Sequence, residues 1–493
     1  MSAAGDRVPS RGDIFEGINP LVYNPAGVIF LFIIQATIVI ELTRFLYWPL
    51  NMIRAPRVIT EVITGIILGP SVLGRIPGFT AALFPAEGMT PLRIAANIGL
   101  ILYLFLEGIE FNPNPNLLRN WRAAVGIATL DLAIPFGCGV ALAYGLYHEF
   151  GGDPELAPIT FPVFALFIGY TITITAFPVL CRIRNTKFGI IVLTSGIKNE
   201  IMGWILLALC VTLANSDDGA TAVYILLVAA GYGLFLAYAV RLCFMWVLRK
   251  THNDDAPTEA VIALTILIAF ASAFFTGIIG VHSIFGAFMV GLMCPRKGVF
   301  DLTLARKVKD LGFPFVRLLF ALSGINTHLF LLDSSVVWGY IITVIITALF
   351  AKLFGVLFGT IIGAKLNGLA WRESYTIETL IYNQGPMEII VLNIGLEVKI
   401  LSTRTFTILI IMALVTTPLM EPLVSWLYTP SYPRKPELWG QGKIDWDRNP
   451  LDQSQVQEED EKKAVSEDLG SDSPSHDPAL DWVLRVCSED LID

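Results

Sequence analysis

Long apolar runs recur along this 493-residue chain from about residue 26 to residue 428, and no other feature restricts its fold as severely. Many are long enough to cross a hydrocarbon core of ~30 Å as a helix of ~20 residues. Lipid offers no water to backbone N–H and C=O groups, which leaves only helices and closed β-barrels. Runs this long and this apolar exclude the barrel. With 54% hydrophobic and only 15% charged residues and a mean hydropathy of +0.65, a soluble enzyme is excluded as well. Residues 1–25 are polar and rich in Pro and Gly, so no cleavable leader is expected and the first span serves as an anchor.

Thirteen spans are expected, the first at 26–48 and the last at 403–428. Positive charge orients them. The odd-numbered connections carry eighteen Lys and Arg residues, Arg54, Arg57, Arg184 and Lys187 among them; the even-numbered ones hold only Arg75, Arg93, Lys399 and Arg404. The N-terminal segment 1–25 is therefore expected on the extracytosolic side and the C-terminus in the cytosol. Within the transmembrane domain 26–428, repeat one spans about 26–214, a linker helix about 221–247 and repeat two about 259–428. Residues 429–493 form an acidic, mostly disordered tail. From Arg434 onward 16 Asp and Glu stand against 7 Lys and Arg, so the chain's net charge of −8 resides there. Leu480, Val483, Leu484 and Cys487 near its end are spaced like a short amphipathic helix. The six cysteines are scattered, without metal-ligand spacing, and read as reduced small apolar residues.

The run "SGIKNEIMGW", residues 195–204, places Lys198, Asn199 and Glu200 inside the sixth span. A charge at the bilayer centre costs about 2.5–3.5 kcal/mol on insertion scales, so an intramembrane acid is a functional candidate. Gly196 and Gly203 lie four before and three after Glu200, on its face of the helix, where small residues admit another backbone. Lys198 is about 200° around the helix from Glu200, so the two cannot simply pair. The expected partner is Lys352 in "ALFAKLFGVLFG", the basic residue deep inside the eleventh span. In low dielectric such a pair is bistable, because burial favours the neutral forms and attraction the charged ones. A cation or proton arriving at the carboxylate displaces the lysine. The bland alternative is a fixed salt bridge joining two helices.

Two segments read as broken helices. "GYTITITAFPVLCRI" (169–183) sets β-branched residues and Pro178 inside a span, and "IYNQGPMEIIVLNIG" (381–395) centres on Gly385–Pro386. Pro and Gly there free carbonyls and amides that must face protein or water. Interruptions at matching places in two halves point to a midplane binding site. Thr173 and Thr175, with Asn383 and Gln384, supply neutral oxygens for a dehydrated cation. Asp131 reads either as a second deep carboxylate or as a locally hydrogen-bonded residue, and Glu388 favours the half-helix N-terminus electrostatically. Glu41, Glu61, Glu107 and Glu110 read as interfacial, and His282 as a packed histidine.

"RAPRVITEVITGIILGPSVLGRIPGF", "TITITAFPVLCRI", "NEIMGWILLAL", "GVHSIFGAFMVGLMCP", "FALSGINTHLFLLD" and "KLNGLAWRESYTI" occur in that order. At these segments the chain resembles the second branch of the monovalent cation:proton antiporters, of the fungal potassium/proton antiporter and plant cation/proton exchanger type. The resemblance implies an all-α polytopic fold of about thirteen helices in two inverted repeats with two crossed broken helices. It also implies a homodimer, an ion and proton site at Asn199–Glu200, and Lys352 as partner. The chain departs from the family in carrying Glu200 for the usual Asp. It also has Asn383-Gln384-Gly385 for Cys-Lys-Gly, Lys198 for a small residue and Ser283 for a proline.

The expected function is secondary active exchange of H⁺ for K⁺ or Na⁺ across a lipid bilayer by alternating access. Glu200, Asn199, Thr173, Thr175 and Gln384 hold the ion or proton; Lys352 pairs with the acid; Lys198, Asp131, Glu388 and Asn383 modulate. No cofactor, structural metal or nucleic-acid partner is called for. A proton-coupled exporter of an organic metabolite or toxin, and a non-transporting sensor on the same fold, stay open as alternatives.

Overall fold

A computed structural model describes residues 28–52, 55–110, 121–153, 156, 159–174, 187–216, 219–242, 244, 258–294, 300–367 and 386–427. Among them every regular element is a helix. In chain order these are α1 (Val28–Met52), α2 (Arg57–Leu68), α3 (Phe79–Leu83), α4 (Thr90–Glu110), α5 (Trp121–Phe150), α6 (Phe161–Thr173) and α7 (Lys187–Asn215). There follow α8 (Gly219–Phe235), α9 (Glu259–Ile278), α10 (Ser283–Met293), α11 (Phe300–Ile325), α12 (Ser335–Asn367), α13 (Pro386–Glu397) and α14 (Thr403–Leu427). Among the described residues, five helical stretches are long and apolar enough to cross a membrane: Val28–Met52, Arg57–Arg75, Ala86–Glu110, Gly219–Tyr238 and Glu259–Ile278. The chain is an integral, all-α polytopic membrane protein.

α1 shows how such a helix divides its surface. Leu31, Gln35, Val39 and Thr43 recur every four residues and are buried, while Ile29, Phe30, Ile33, Phe45 and Trp48 stay open to the hydrocarbon. One expected boundary moves. Residues 300–311, read as a charged connection, belong to α11. Leu304, Ala305 and Val308 repeat at helical spacing and are buried, whereas Arg306, Lys307 and Asp310 are exposed. A window tuned to continuous apolarity overlooks a helix whose other face is charged.

The helices group into two compact units. The first comprises residues up to Tyr103 together with Asp310–Leu331. Here α2 and α11 touch backbone to backbone: a Cβ on Gly65 would land on the Ala321 carbonyl oxygen, and one on Gly324 on that of Val62. Thr43 donates to the Thr64 hydroxyl across α1 and α2 at 3.2 Å. The Ser71 hydroxyl donates to the Thr327 carbonyl at 2.8 Å and accepts from the Leu329 amide at 2.9 Å. Glu61 is buried, not interfacial as expected. Its Oε1 lies 3.6 Å from Arg317 Nε, whose side chain is one-third exposed.

The second unit comprises Leu104–Lys309 and the chain from Leu332 onward. α5 packs along α6, α7 and α12, α7 against α6 and α8, and α14 against α12 and α13. α9 turns back onto α10 through Gly280, whose φ of +93° suits glycine. There the Ser272 hydroxyl donates to the Gly286 carbonyl at 2.9 Å. His282 caps α10 by accepting from the Ile284 amide at 3.4 Å, and its Nε2 lies 3.5 Å from Glu397. Of the segments expected to break, Pro178 and Gly385 lie outside the described residues; the described parts are two short helices, α6 of 13 residues and α13 of 12. α6 ends with the Thr171 and Thr173 hydroxyls donating to the Phe167 and Gly169 carbonyls at 2.9 and 2.7 Å. α13 begins on Pro386, whose ring suits a first helical turn. The two short helices pack together, the buried Phe167 ring filling the space beside Gly395.

Candidate ion and proton site

The sequence places two polar residues, Asn199 and Glu200, in the middle of α7. The helix keeps Asn199, Gly203, Trp204, Leu207, Cys210 and Val211 on a buried face. Ile201, Met202 and Ile205, between 40% and 56% exposed, lie on the other. Glu200 belongs to the inner side. Its stem is half-buried, but Oε2 is sealed from solvent and has no partner within hydrogen-bond geometry.

Three elements of the same unit bear on this turn of α7 or on the charge of its carboxyl. From α6, the Tyr170 ring lies against Gly203, so that a Cβ there would meet Tyr170 Cε2 at 2.9 Å and its hydroxyl at 3.3 Å. Tyr170 is within electrostatic reach of Glu200. From α10, Phe285 and Phe288 flank Trp204, with centroids 5.9 and 5.2 Å away. From the end of α4 comes Glu107, 7% exposed, whose charge acts directly on Glu200. α4 reaches that position because glycines let it meet α10 backbone to backbone. A Cβ on Gly108 would strike the Phe288 carbonyl oxygen, and one on Gly291 that of Phe105.

Glu107 was expected at the interface and is instead buried beside Glu200. The signal was present in "FLEGIE": a glycine beside an acid inside an apolar run, the same signature that marked Glu200. Glu110, one turn on, is exposed.

Of the remaining candidates, Thr173 is buried at the last position of α6, and Glu388 is 1% exposed in the first turn of α13. Lys198, Asp131 and Lys352 lie on α7, α5 and α12, with side chains outside the described set. Thr175, Asn383 and Gln384 lie outside the described residues altogether. The described groups bring two carboxyls, an amide, a phenol and an indole into one largely apolar interior. Such a set can hold a proton or a single alkali cation, since one carboxylate balances one positive charge and neutral dipoles can replace water ligands.

The family model described as the transmembrane sodium/hydrogen exchanger matches residues 39–428. A K(+)/H(+) antiporter 1 from Saccharomyces cerevisiae is 39% identical over 432 residues, 85% of this chain and 49% of that protein. Cation/H(+) antiporter 18 from Arabidopsis thaliana is 35% identical over 86% of this chain and 52% of its own. This chain thus spans about half the length of those relatives. Na(+)/H(+) antiporter NhaS4 from Synechocystis is 31% identical over 81% of this chain and 97% of its own. Among solved structures, the sodium proton antiporter MjNhaP1 of Methanocaldococcus jannaschii at pH 8 superposes with a TM-score of 0.54 at 17% identity. It covers 81% of this chain and 100% of its own, a likeness of fold. With a matched region running from α1 through α14, the chain belongs to the sodium/hydrogen exchanger family.

Proposed function

We propose that the protein is a secondary active transporter exchanging H⁺ for K⁺ or Na⁺ by alternating access. The reading rests above all on the sealed Oε2 of Glu200, set within reach of a second carboxyl in a membrane-embedded interior. An acid in such a place is costly to keep; a site where a proton and an alkali ion take turns supplies a reason for it. The names of its relatives, K(+)/H(+), cation/H(+) and Na(+)/H(+) antiporters, support the same exchange.

Glu200 carries proton or cation in turn. Asn199 and the Thr173/Thr175 region complete the coordination, Gln384 contributes from the second break, and Lys352 is the internal cation that competes for the acid. Glu107 is a further carboxyl of the site. One exchanging carboxylate favours electroneutral one-for-one exchange. The chain works as a homodimer of two-repeat protomers, with its N-terminus extracytosolic and its C-terminus cytosolic. The test is dissipation of an imposed pH gradient in proteoliposomes given K⁺, Na⁺, Li⁺ or no added metal. The parent responds to K⁺ or Na⁺ and Glu200→Gln does not; a Glu200→Gln protein that still couples the two gradients would falsify the assignment.

A further inference from the structure

We infer that the Trp204 indole N–H is the neutral donor that engages the Glu200 carboxylate when neither cation nor proton is bound, which makes Trp204 a positioning residue for exchange. This rests on the reading of Glu200 as the ion site. Trp204 follows Glu200 by four residues on α7, so the two share a face. Long side chains on a helix lean back toward its N-terminus, which carries the indole over the turn bearing Glu200. The ring is held by α10: Phe285 meets it edge-on at 89° and Phe288 lies tilted at 32°.

The two groups lack what each can give the other. Trp204 is 6% exposed, and its Nε1 is a buried donor without a partner in hydrogen-bond geometry; Glu200 Oε2 is a buried acceptor in the same condition. A buried indole N–H ordinarily finds an acceptor. The four-residue spacing on one face of α7 sets the N–H beside the carboxyl. A small rotation of the acid therefore completes the bond when the ion leaves. Glu107 cannot do this as a carboxylate, because it then has no proton to donate.

A donor that steadies the empty carboxylate competes with whatever arrives next. It weakens cation binding and hastens release, sharing with a neutral ring the competition assigned above to Lys352. Removing the N–H while keeping the ring then tightens binding and slows turnover. At alkaline pH, where protons compete least, the change in cation affinity is fully visible.

The experiment uses the full chain in proteoliposomes at alkaline pH, titrated with whichever of K⁺ or Na⁺ the parent exchanges. Two replacements at Trp204 are compared. One is Trp204→Phe; the other is 3-benzothienylalanine, in which sulfur takes the place of the N–H and ring packing is preserved. Both are expected to lower the half-saturating cation concentration by roughly 3- to 10-fold, as for loss of one charge-assisted hydrogen bond, and to lower the maximal rate. Parental half-saturation with the benzothienyl ring, whatever Trp204→Phe does, overturns the proposal and leaves the indole as packing. Glu200→Gln separates the two ideas. If it abolishes coupling while the benzothienyl protein keeps parental half-saturation, only the role of the indole fails. If it retains coupling, the ion site itself is misplaced and the indole's role falls with it.

Discussion

Two buried glutamates, one in each unit, live in opposite surroundings. Glu61 on α2 faces the Arg317 guanidinium at 3.6 Å, with the charge of Arg57 also acting on it. Glu200 on α7 faces another carboxyl, a phenol and an indole. The first acid has its counter-ion built in, so the protein already supplies what an incoming cation would offer. The second has no cation beside it among the described residues; on the reading proposed above, Lys352 and the arriving ion contend for it. Burial by itself therefore does not mark a transport site; the charges set around the acid decide what it can bind.

The largest expected effect separates the two acids outright. Glu200→Gln should reduce gradient-coupled exchange to background while the purified protein melts no lower than the parent. Glu61→Gln should leave exchange per folded molecule intact. Equal loss of exchange in both would erase the distinction between the units. Next in size is Arg317→Met, which strands Glu61 in an apolar interior. It should destabilise the fold by about 3 kcal/mol, near the low end for a broken buried pair because Arg317 is partly exposed. Thermal unfolding in detergent checks this, and adding Glu61→Gln should restore most of the loss.

Glu107→Gln sharpens the comparison within the second unit. With one anion fewer at the site, the half-saturating cation concentration should rise about tenfold while coupling persists. Unchanged half-saturation would return Glu107 to a purely structural role. The smallest effect belongs to the pair Arg404–Asp153, 3.6 Å apart and partly exposed. Asp153→Asn should cost less than about 1 kcal/mol, and high salt should shrink the difference further.

Much of this architecture is legible in the amino-acid order. α9 begins and ends with the apolar run legible at 259–278, because continuous apolarity in lipid admits only a helix there. The same logic fails at α11, whose first half is amphipathic and looks like a charged loop to a hydropathy reading. At the site, Glu200 announces itself as an acid with glycines on its own face. The burial of Glu61 and Glu107 escapes the sequence for one shared reason. Position along a span suggests depth, but burial depends on which neighbour crosses there. Arg317 and the Gly108–Gly291 contact are brought in from distant stretches of chain. Trp204 passed unremarked because an aromatic in an apolar run looks like any other; only its unmatched N–H sets it apart.

Met202 and Ile205 on α7 leave one flank of the helix that carries Glu200 bare to the acyl chains. On the proposed reading, the helix that carries the ion would then also be part of the molecule's outer skin. A bilayer that thickens or thins around that flank would press on the element that sets the acid's height, so exchange would respond to membrane thickness without any dedicated sensor.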